Sequence, residues 1–184
     1  MGRVRYLCQS LALLLALSLL AGCLMDATID DKGGGTMTIK YRLSTEAQFA
    51  GAKRRVQSAQ VTLTDSKVEP DKWATFHLKF DDVTKLSTIE YFDHTTFMLS
   101  SDEGGTKTLT AKFTNANPSK LPEEMVAYFG REATITIHLP GDVVKSNAMK
   151  TDGRTVTWTY PLADFTSAPE INVTVTYKAP AATS

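Results

Sequence analysis

Three histidines are the side chains of this sequence best suited to acid–base or metal chemistry. His77, His94 and His138 all stand outside any motif that would supply a serine or cysteine nucleophile. Glu90 and Asp93 lie close to His94 and are the nearest approach to a metal-ligand cluster, with Glu90 and His94 four residues apart. One histidine beside surface acids is ordinarily solvated, whereas a zinc site takes three or four protein ligands. The sequence therefore predicts no catalytic residue, no metal site and no cofactor.

The side chain with a definite chemical expectation is the thiol of Cys23. A short positive segment with Arg3 and Arg5 precedes an apolar run, Leu7–Leu20, and two small residues separate that run from the cysteine. This is the layout of a secretory signal, and its end, Leu20-Ala21-Gly22-Cys23, resembles the lipobox of bacterial lipoproteins. The alternative is an uncleaved anchor helix, which needs roughly 20 apolar residues to cross a membrane and is disfavoured by the shorter run.

The lipobox implies that residues 1–22 are a removable signal peptide and that residues 23–184 form a single lipid-anchored β-rich domain. Cys23 is then the lipidation site. Acyl chains such as palmitate hold the protein at a membrane, since each buried methylene contributes about 0.8 kcal/mol. Leu24 occupies the place where an Asp commonly retains lipoproteins at the inner membrane, so the outer membrane is favoured if the host has two. Cys8 leaves with the signal, so we expect no disulfide in the domain.

The charge of the chain excludes one class of partner. Lys and Arg number 20 and Asp and Glu number 20, so the formal net charge at pH 7 is zero. Nucleic-acid-binding proteins carry a basic patch or stripe, and the basic run here is the short Lys53–Arg55. Such a run suits the last turn of a helix, where the helix dipole favours cations, and contact with anionic lipid headgroups is the alternative. We therefore expect no nucleic-acid partner.

Apolar and polar residues alternate along most of the domain. Segments with this period of two lie at 25–29, 37–43, 59–64, 74–81, 97–99, 109–114, 133–139, 155–160 and 171–177. A period of two is typical of strands with one buried face, and the glycine-rich turn at 30–35 predicts that the first two segments form a hairpin. The pattern predicts an α+β fold: a curved, mainly antiparallel β-sheet, which could be barrel-like, with two or three short helices packed on it. Residues 161–167 are expected to be an irregular connection.

Three segments, at 45–57, 83–92 and 122–130, show helical spacing. The first begins with a capping box, in which the hydroxyl of Thr45 and the amide of Gln48 each satisfy a free backbone N–H. The third has apolar residues around much of its surface. Packing against the core is its first interpretation, and a lid or rim over a lipid cavity is the second.

The last quarter of the chain resembles a bacterial family. The string His138–Ala148 and the following Asp152–Leu162 are similar to the Pro-Gly strand end, Ser-Asn turn and Gly-x-Thr-Val-Thr-Trp strand of LppM-type lipoproteins. Ala27–Leu43 and Phe80–Asp82 resemble that family too. The resemblance implies a curved β-sheet domain with packed helices, a lipid- or glycolipid-binding role at the cell envelope, and no catalytic residues. The mycobacterial relatives carry a C-terminal membrane helix that these residues do not show, so their ligands are not transferred.

Three functional hypotheses follow. The first is a non-enzymatic, membrane-anchored lipoprotein that binds a lipid, a glycolipid or another amphipathic ligand in a cavity. We expect four residues to line that cavity: Phe49, Met125, Phe129 and Trp158. The second is a structural or assembly lipoprotein that holds an envelope protein partner through a sheet edge or helix face. The third is a hydrolase, which would require a histidine to meet an acid and a nucleophile. Trp158 taken by itself is first interpreted as a filler of the core, since a buried tryptophan needs no ligand to explain it.

Overall fold

The computed structural model describes residues 23–178, and these residues form strands joined by short helices. The strands are β1 (Cys23–Ile29), β2 (Gly35–Arg42), β3 (Val61–Val68), β4 (Trp73–Phe80), β5 (Thr95–Ser101), β6 (Thr106–Thr114), β7 (Glu132–His138), β8 (Val143–Ser146), β9 (Lys150–Asp152), β10 (Thr155–Pro161) and β11 (Glu170–Lys178). The α-helices are α1 (Phe49–Arg55), α2 (Glu123–Phe129) and α3 (Leu162–Ser167). The 3-10 helices span Glu46–Gln48, Val83–Thr88 and Glu90–Phe92. The expected signal peptide, residues 1–22, lies outside the described residues.

Seven strands form a large sheet in the order β3-β4-β2-β1-β7-β10-β9. The predicted hairpin of β1 and β2 is present, and Asp30 closes its turn by accepting hydrogen bonds from the N–H groups of Lys32 and Gly34, both 2.8 Å long. Every pairing in this sheet is antiparallel except one, because β1 runs parallel to β7. Since β1 pairs with β2 on one side and with β7 on the other, the first strand of the domain lies at the centre of the sheet.

Four strands form a second, small sheet in the order β5-β6-β11-β8. Its inward side chains share one core with those of the large sheet, for example Leu109 and Val175 with Ile39 and Ile137. The gap between the two sheets is filled, since the void that both sheets line measures only about 20 Å³. The predicted α+β class and the mainly antiparallel pairing are confirmed, and the strands divide between two open sheets and do not close into a barrel.

The helices differ from expectation at three places. Residues 83–92 form two 3-10 helices, and the carboxylate of Asp82 caps the first by accepting from the N–H of Thr84 at 2.8 Å. Residues 162–167, expected as an irregular connection, form α3. The sequence hints at this helix through two apolar residues, Leu162 and Phe165, which stand three positions apart directly after Pro161. One such spacing is too short a pattern to predict a helix.

The third departure concerns α2, which was first interpreted as a core helix. None of its residues is buried. Polar contacts hold it in place: the Tyr128 hydroxyl donates to the Leu43 carbonyl at 2.9 Å, and Arg42 donates to the Tyr128 carbonyl at 3.0 Å. Seven residues are too few to stabilise an isolated helix, so these contacts to β2 fix its position. By contrast α1 keeps its predicted cap, since the Gln48 side-chain oxygen accepts from the N–H groups of Ser44 and Thr45.

The helices within residues 23–178 are short. None of them is both long and apolar enough to cross a membrane.

Candidate functional site

Cys23 is the first residue of β1 and lies at one end of the large sheet. Its backbone pairs with Ala133 of β7, and the next residue, Leu24, pairs with Lys40 of β2. The side chain is half-buried, with Sγ 3.7 Å from the hydroxyl oxygen of Tyr91. Burial raises the pKa of the Cys23 thiol, which the hydrogen bond from Tyr91 partly offsets. The thiol is therefore kept neutral, and its backbone is held in the sheet.

A cavity of about 540 Å³, here called cavity A, opens beside Cys23. This volume is in the range of small-molecule sites, roughly 300–1,000 Å³. Its apolar wall comes from β2, α1, α2, α3 and the residues that flank them: Tyr41, Leu43, Ala52, Leu121, Phe129 and Leu162. Four further lining residues are polar, and we call them the mouth of the cavity: Arg42 is half-buried, and Ser44, Gln48 and Arg55 are exposed. Cavity A is thus amphipathic, with a mainly apolar lining and two guanidinium groups among the polar residues of its mouth.

The two arginines of cavity A are held differently. Arg42 Nε donates to the carbonyl of Asp71 at 2.9 Å, and its guanidinium carbon lies 4.3 Å from the centre of the Tyr128 ring. Arg55 is half-exposed and pairs with the carboxylate of Glu90 at 2.9 Å. A surface ion pair of this kind contributes at most about 1 kcal/mol, so an anion can compete with Glu90 for Arg55.

A second cavity of about 420 Å³, here called cavity B, opens on the other side of Cys23. Its apolar lining comes from both sheets and α3: Met25, Phe92, Phe113, Ala133, Phe165 and Ile171. Its polar lining consists of His94 and five residues with hydroxyl or amide groups: Thr95, Thr114, Asn115, Asn117 and Thr166. No Lys, Arg, Asp or Glu stands among the described residues that line it. Cavity B therefore differs from cavity A in having no fixed charge.

Cys23 and Tyr91 line both cavities and form the wall between them. The Tyr91 ring stacks on Tyr41 with centroids 5.4 Å apart, and it meets Phe92 edge-on at 5.0 Å. Burial is the main reason that the pKa of Tyr41 rises to about 12 and that of Tyr91 rises well above its usual range. Both hydroxyl groups are protonated at neutral pH, and that of Tyr91 can donate a hydrogen bond to Sγ of Cys23.

The structure does not bring the four expected cavity residues together. Phe129 lines cavity A, as its place at the end of α2 allows. Phe49 packs on Phe76 with ring centroids 5.7 Å apart, and Met125 is 42% exposed on α2. Trp158 is fully buried, and its indole N–H donates to the Asn147 side-chain oxygen at 2.9 Å. Of the four, Phe129 alone lines a cavity, and Trp158 fills the core.

The sequence did not predict most of the residues that line the two cavities. Tyr41 could have been found, because it continues the inward series of Met37 and Ile39 along β2. The sequence marks Arg55 only as the last residue of the basic run Lys53–Arg55. Tyr91 carried no periodic signal, since it lies in the 3-10 helix Glu90–Phe92. The cavities thus depend on contacts between distant segments.

The histidines show no metal site within residues 23–178, where no group of three ligating side chains converges. His94 Nε2 lies 3.7 Å from the Asp93 carboxylate. His138 lies between Asp26, at 3.4 Å from Nε2, and the Thr155 hydroxyl, at 3.0 Å from Nδ1. Asp26, His138 and Thr155 lie on the open face of the large sheet and line neither cavity A nor cavity B.

Comparison with known proteins gives a family. The family model described as the LppM domain matches residues 25–177. The fold is similar to the NMR structure of the folded domain of LppM from Mycobacterium tuberculosis, with a TM-score of 0.55 and 10% sequence identity. That similarity covers 87% of this chain and 90% of the other, and at such identity it concerns the fold alone. No curated protein sequence gives a significant match. Because the family model spans most of the chain, this protein belongs to the LppM domain family.

Proposed function

We propose that this protein is a membrane-anchored, non-enzymatic lipoprotein whose cavity A binds an amphipathic ligand of the cell envelope. The observation that carries the proposal is the composition of cavity A: an apolar interior of about 540 Å³ with Arg42 and Arg55 at the mouth. An alkyl chain in that interior gains about 0.8 kcal/mol for each buried methylene. A negative headgroup at the mouth gains charge-assisted hydrogen bonds from the guanidinium groups. A lipid or glycolipid with an anionic headgroup fits both features.

The second part of the proposal concerns the anchor. Lipidation of Cys23 forms a thioether between Sγ and a diacylglyceryl group, while the phosphate-containing headgroup of the donor phospholipid leaves with the thiol proton. Membership of the LppM family supports a lipoprotein-type function in the cell envelope. We place the anchor in the outer membrane if the host has two membranes, because Leu24 follows the cysteine.

A non-enzymatic role is supported by the positions of the reactive side chains. Catalysis by a histidine requires a substrate pocket within hydrogen-bonding reach of the base. His138, the histidine placed between an acid and a hydroxyl, lines neither cavity, and the ring of His94, which lines cavity B, lies against the Asp93 carboxylate. The residues around cavity A that bear charge or hydroxyl groups are suited to binding and offer no nucleophile paired with a base.

A substitution at Gly51 tests the binding proposal without removing any side chain. Gly51 lies in α1 and lines cavity A, and a Cβ built there meets no atom within 4 Å. Gly51→Leu therefore inserts a side chain into the cavity, while leucine is a better helix former than glycine by about 0.5–1 kcal/mol. We expect the Kd for a fluorescent fatty acid to rise at least about tenfold with no loss of thermal stability.

The matched control is Arg54→Leu, on the same helix at an exposed position that lines neither cavity. It should leave the Kd within about twofold of the unsubstituted protein. If Gly51→Leu binds the fatty acid as tightly as Arg54→Leu does, cavity A is not the binding site and the proposal fails.

A second candidate function is the assembly role, and one observation favours it. Val144 and Met149 are 62% and 64% exposed, and they lie five residues apart around β8 and β9, at the edges of the two sheets. Large apolar side chains grouped on a surface commonly mark an interaction site. Pull-down from envelope extracts with the paired variant Val144→Ser and Met149→Ser would distinguish this role: loss of a partner there, with fatty-acid binding unchanged, supports assembly.

A further inference from the structure

Two cavities lie beside the sulfur of Cys23 and could receive a substituent that it carries. Its backbone is fixed in β1, because Cys23 pairs with Ala133 and Leu24 pairs with Lys40. The side chain is half-buried and lines cavity A and cavity B. A group bonded to Sγ therefore begins beside both cavities. No flexible segment separates the lipidation site from the folded domain, so the anchor begins inside it.

Charge distinguishes the two cavities as hosts for a neutral chain. A diacylglyceryl group has ester and alkyl parts and carries no charge. In cavity A it would cover Arg42 and Arg55 and remove water from the guanidinium N–H groups that Glu90 and the backbone carbonyls leave free, without supplying an anion, which is unfavourable. In cavity B the described lining offers amides and hydroxyls, such as those of Asn115 and Thr166, that suit ester oxygens. The apolar remainder of cavity B suits an alkyl chain.

We propose that in the anchored protein one acyl chain of the Cys23 lipid lies in cavity B, while cavity A stays open for a free amphiphile. This inference rests on the lipidation of Cys23 in the proposed function. The domain would then hold part of its own anchor and lie directly against the membrane. The contact between Tyr91 and Sγ survives lipidation, because a thioether sulfur still accepts a weak hydrogen bond and the Tyr91 hydroxyl is a donor.

Alkylation of Cys23 with chains of two lengths tests this assignment. Residues 23–178 contain both sheets and their common core, so residues 23–184 made without the leader give the folded, unlipidated protein. Cys23 is the cysteine that remains, and it is coupled to N-ethylmaleimide or N-dodecylmaleimide. In each case the sulfur adds to the maleimide double bond and a proton adds to the neighbouring carbon. The coupling is run at alkaline pH, since burial raises the pKa of this thiol.

We expect the dodecyl adduct to melt at least about 5 °C above the ethyl adduct, because the longer chain buries more apolar surface in the folded state only. Gly51→Leu, which narrows cavity A, should keep this gain, and Ala168→Phe, which narrows cavity B, should abolish it. The Kd for a free fluorescent fatty acid should agree within about twofold between the two adducts.

Nuclear Overhauser contacts give a readout that needs no substituted variant. Chain protons of the dodecyl adduct should contact the methyl groups of Ile171 in cavity B and not those of Leu162 in cavity A. Equal melting temperatures of the two adducts, with no contact to Ile171, would overturn the inference. Contacts to Leu162 together with a tenfold rise in the Kd for the fatty acid would also overturn it, because they would place the chain in cavity A. Failure of the proposed function is a separate result, in which even the ethyl adduct binds no fatty acid.

Discussion

Cavity A and cavity B share a wall and differ in charge. Both have apolar interiors made from residues far apart in the chain, and Cys23 and Tyr91 lie between them. Arg42 and Arg55 stand at the mouth of cavity A, whereas the described lining of cavity B has no lysine, arginine, aspartate or glutamate. Similar apolar surfaces with different rims can therefore accept different headgroups, which is how one small domain could separate a ligand from an anchor.

Removal of the shared wall should have the largest effect. Tyr91→Ala deletes a ring that stacks on Tyr41 and meets Phe92, and it joins the two cavities. Replacement of a large buried aromatic residue by alanine costs about 3–5 kcal/mol, and Tyr91 is half-buried, so we expect the free energy of unfolding to fall by about 2–4 kcal/mol. Urea denaturation measures this loss.

Tyr91→Phe is the control, since it keeps the ring and removes only the hydroxyl that contacts Sγ of Cys23. Its free energy of unfolding should fall by less than about 1.5 kcal/mol. A value for Tyr91→Ala within about 0.5 kcal/mol of the unsubstituted protein would mean that the ring is not a packed wall, and the two cavities would have to be treated as one.

Removal of a charge at the rim should have a smaller effect, confined to anionic ligands. Arg55→Gln should raise the Kd of cavity A for dodecanoate by about three- to tenfold, because a half-exposed guanidinium contributes less than a buried one. The Kd for the neutral dodecanol should not change. Isothermal titration with both ligands measures the difference, which should shrink at high salt.

Two variants sharpen this comparison. Arg54→Gln removes a neighbouring charge that lines neither cavity and should leave both Kd values unchanged. Glu90→Gln frees Arg55 from its ion pair and should tighten dodecanoate binding. Equal losses for dodecanoate and dodecanol in Arg55→Gln would show that the side chain acts by packing and not by charge.

The sequence predicted local structure well where a residue and its neighbours carry the pattern. The alternation of Met37, Ile39 and Tyr41 places these side chains on the inner face of β2, and the turn at Asp30 joins β1 to β2 as expected. The LppM resemblance, carried mainly by short motifs in the last quarter of the chain, is confirmed over residues 25–177.

Other features depend on contacts that no local pattern contains. The parallel pairing of β1 with β7 joins residues more than a hundred positions apart, and it brings β2 and β10 into the same sheet. Phe129 and Trp158 are both large aromatic residues, yet one lines a cavity and the other fills the core. Their sequence neighbourhoods do not tell them apart, because the difference lies in what α2 and β10 pack against.

The most direct test of the account is to find where a bound amphiphile lies. A fatty acid with a photoreactive diazirine near its methyl end would be bound, irradiated and mapped by peptide mass spectrometry. The account predicts crosslinks to the apolar wall of cavity A, at Leu121, Phe129 or Leu162, and their loss in Gly51→Leu but not in Arg54→Leu. Crosslinks at the exposed Val144 and Met149, unchanged in Gly51→Leu, would contradict it.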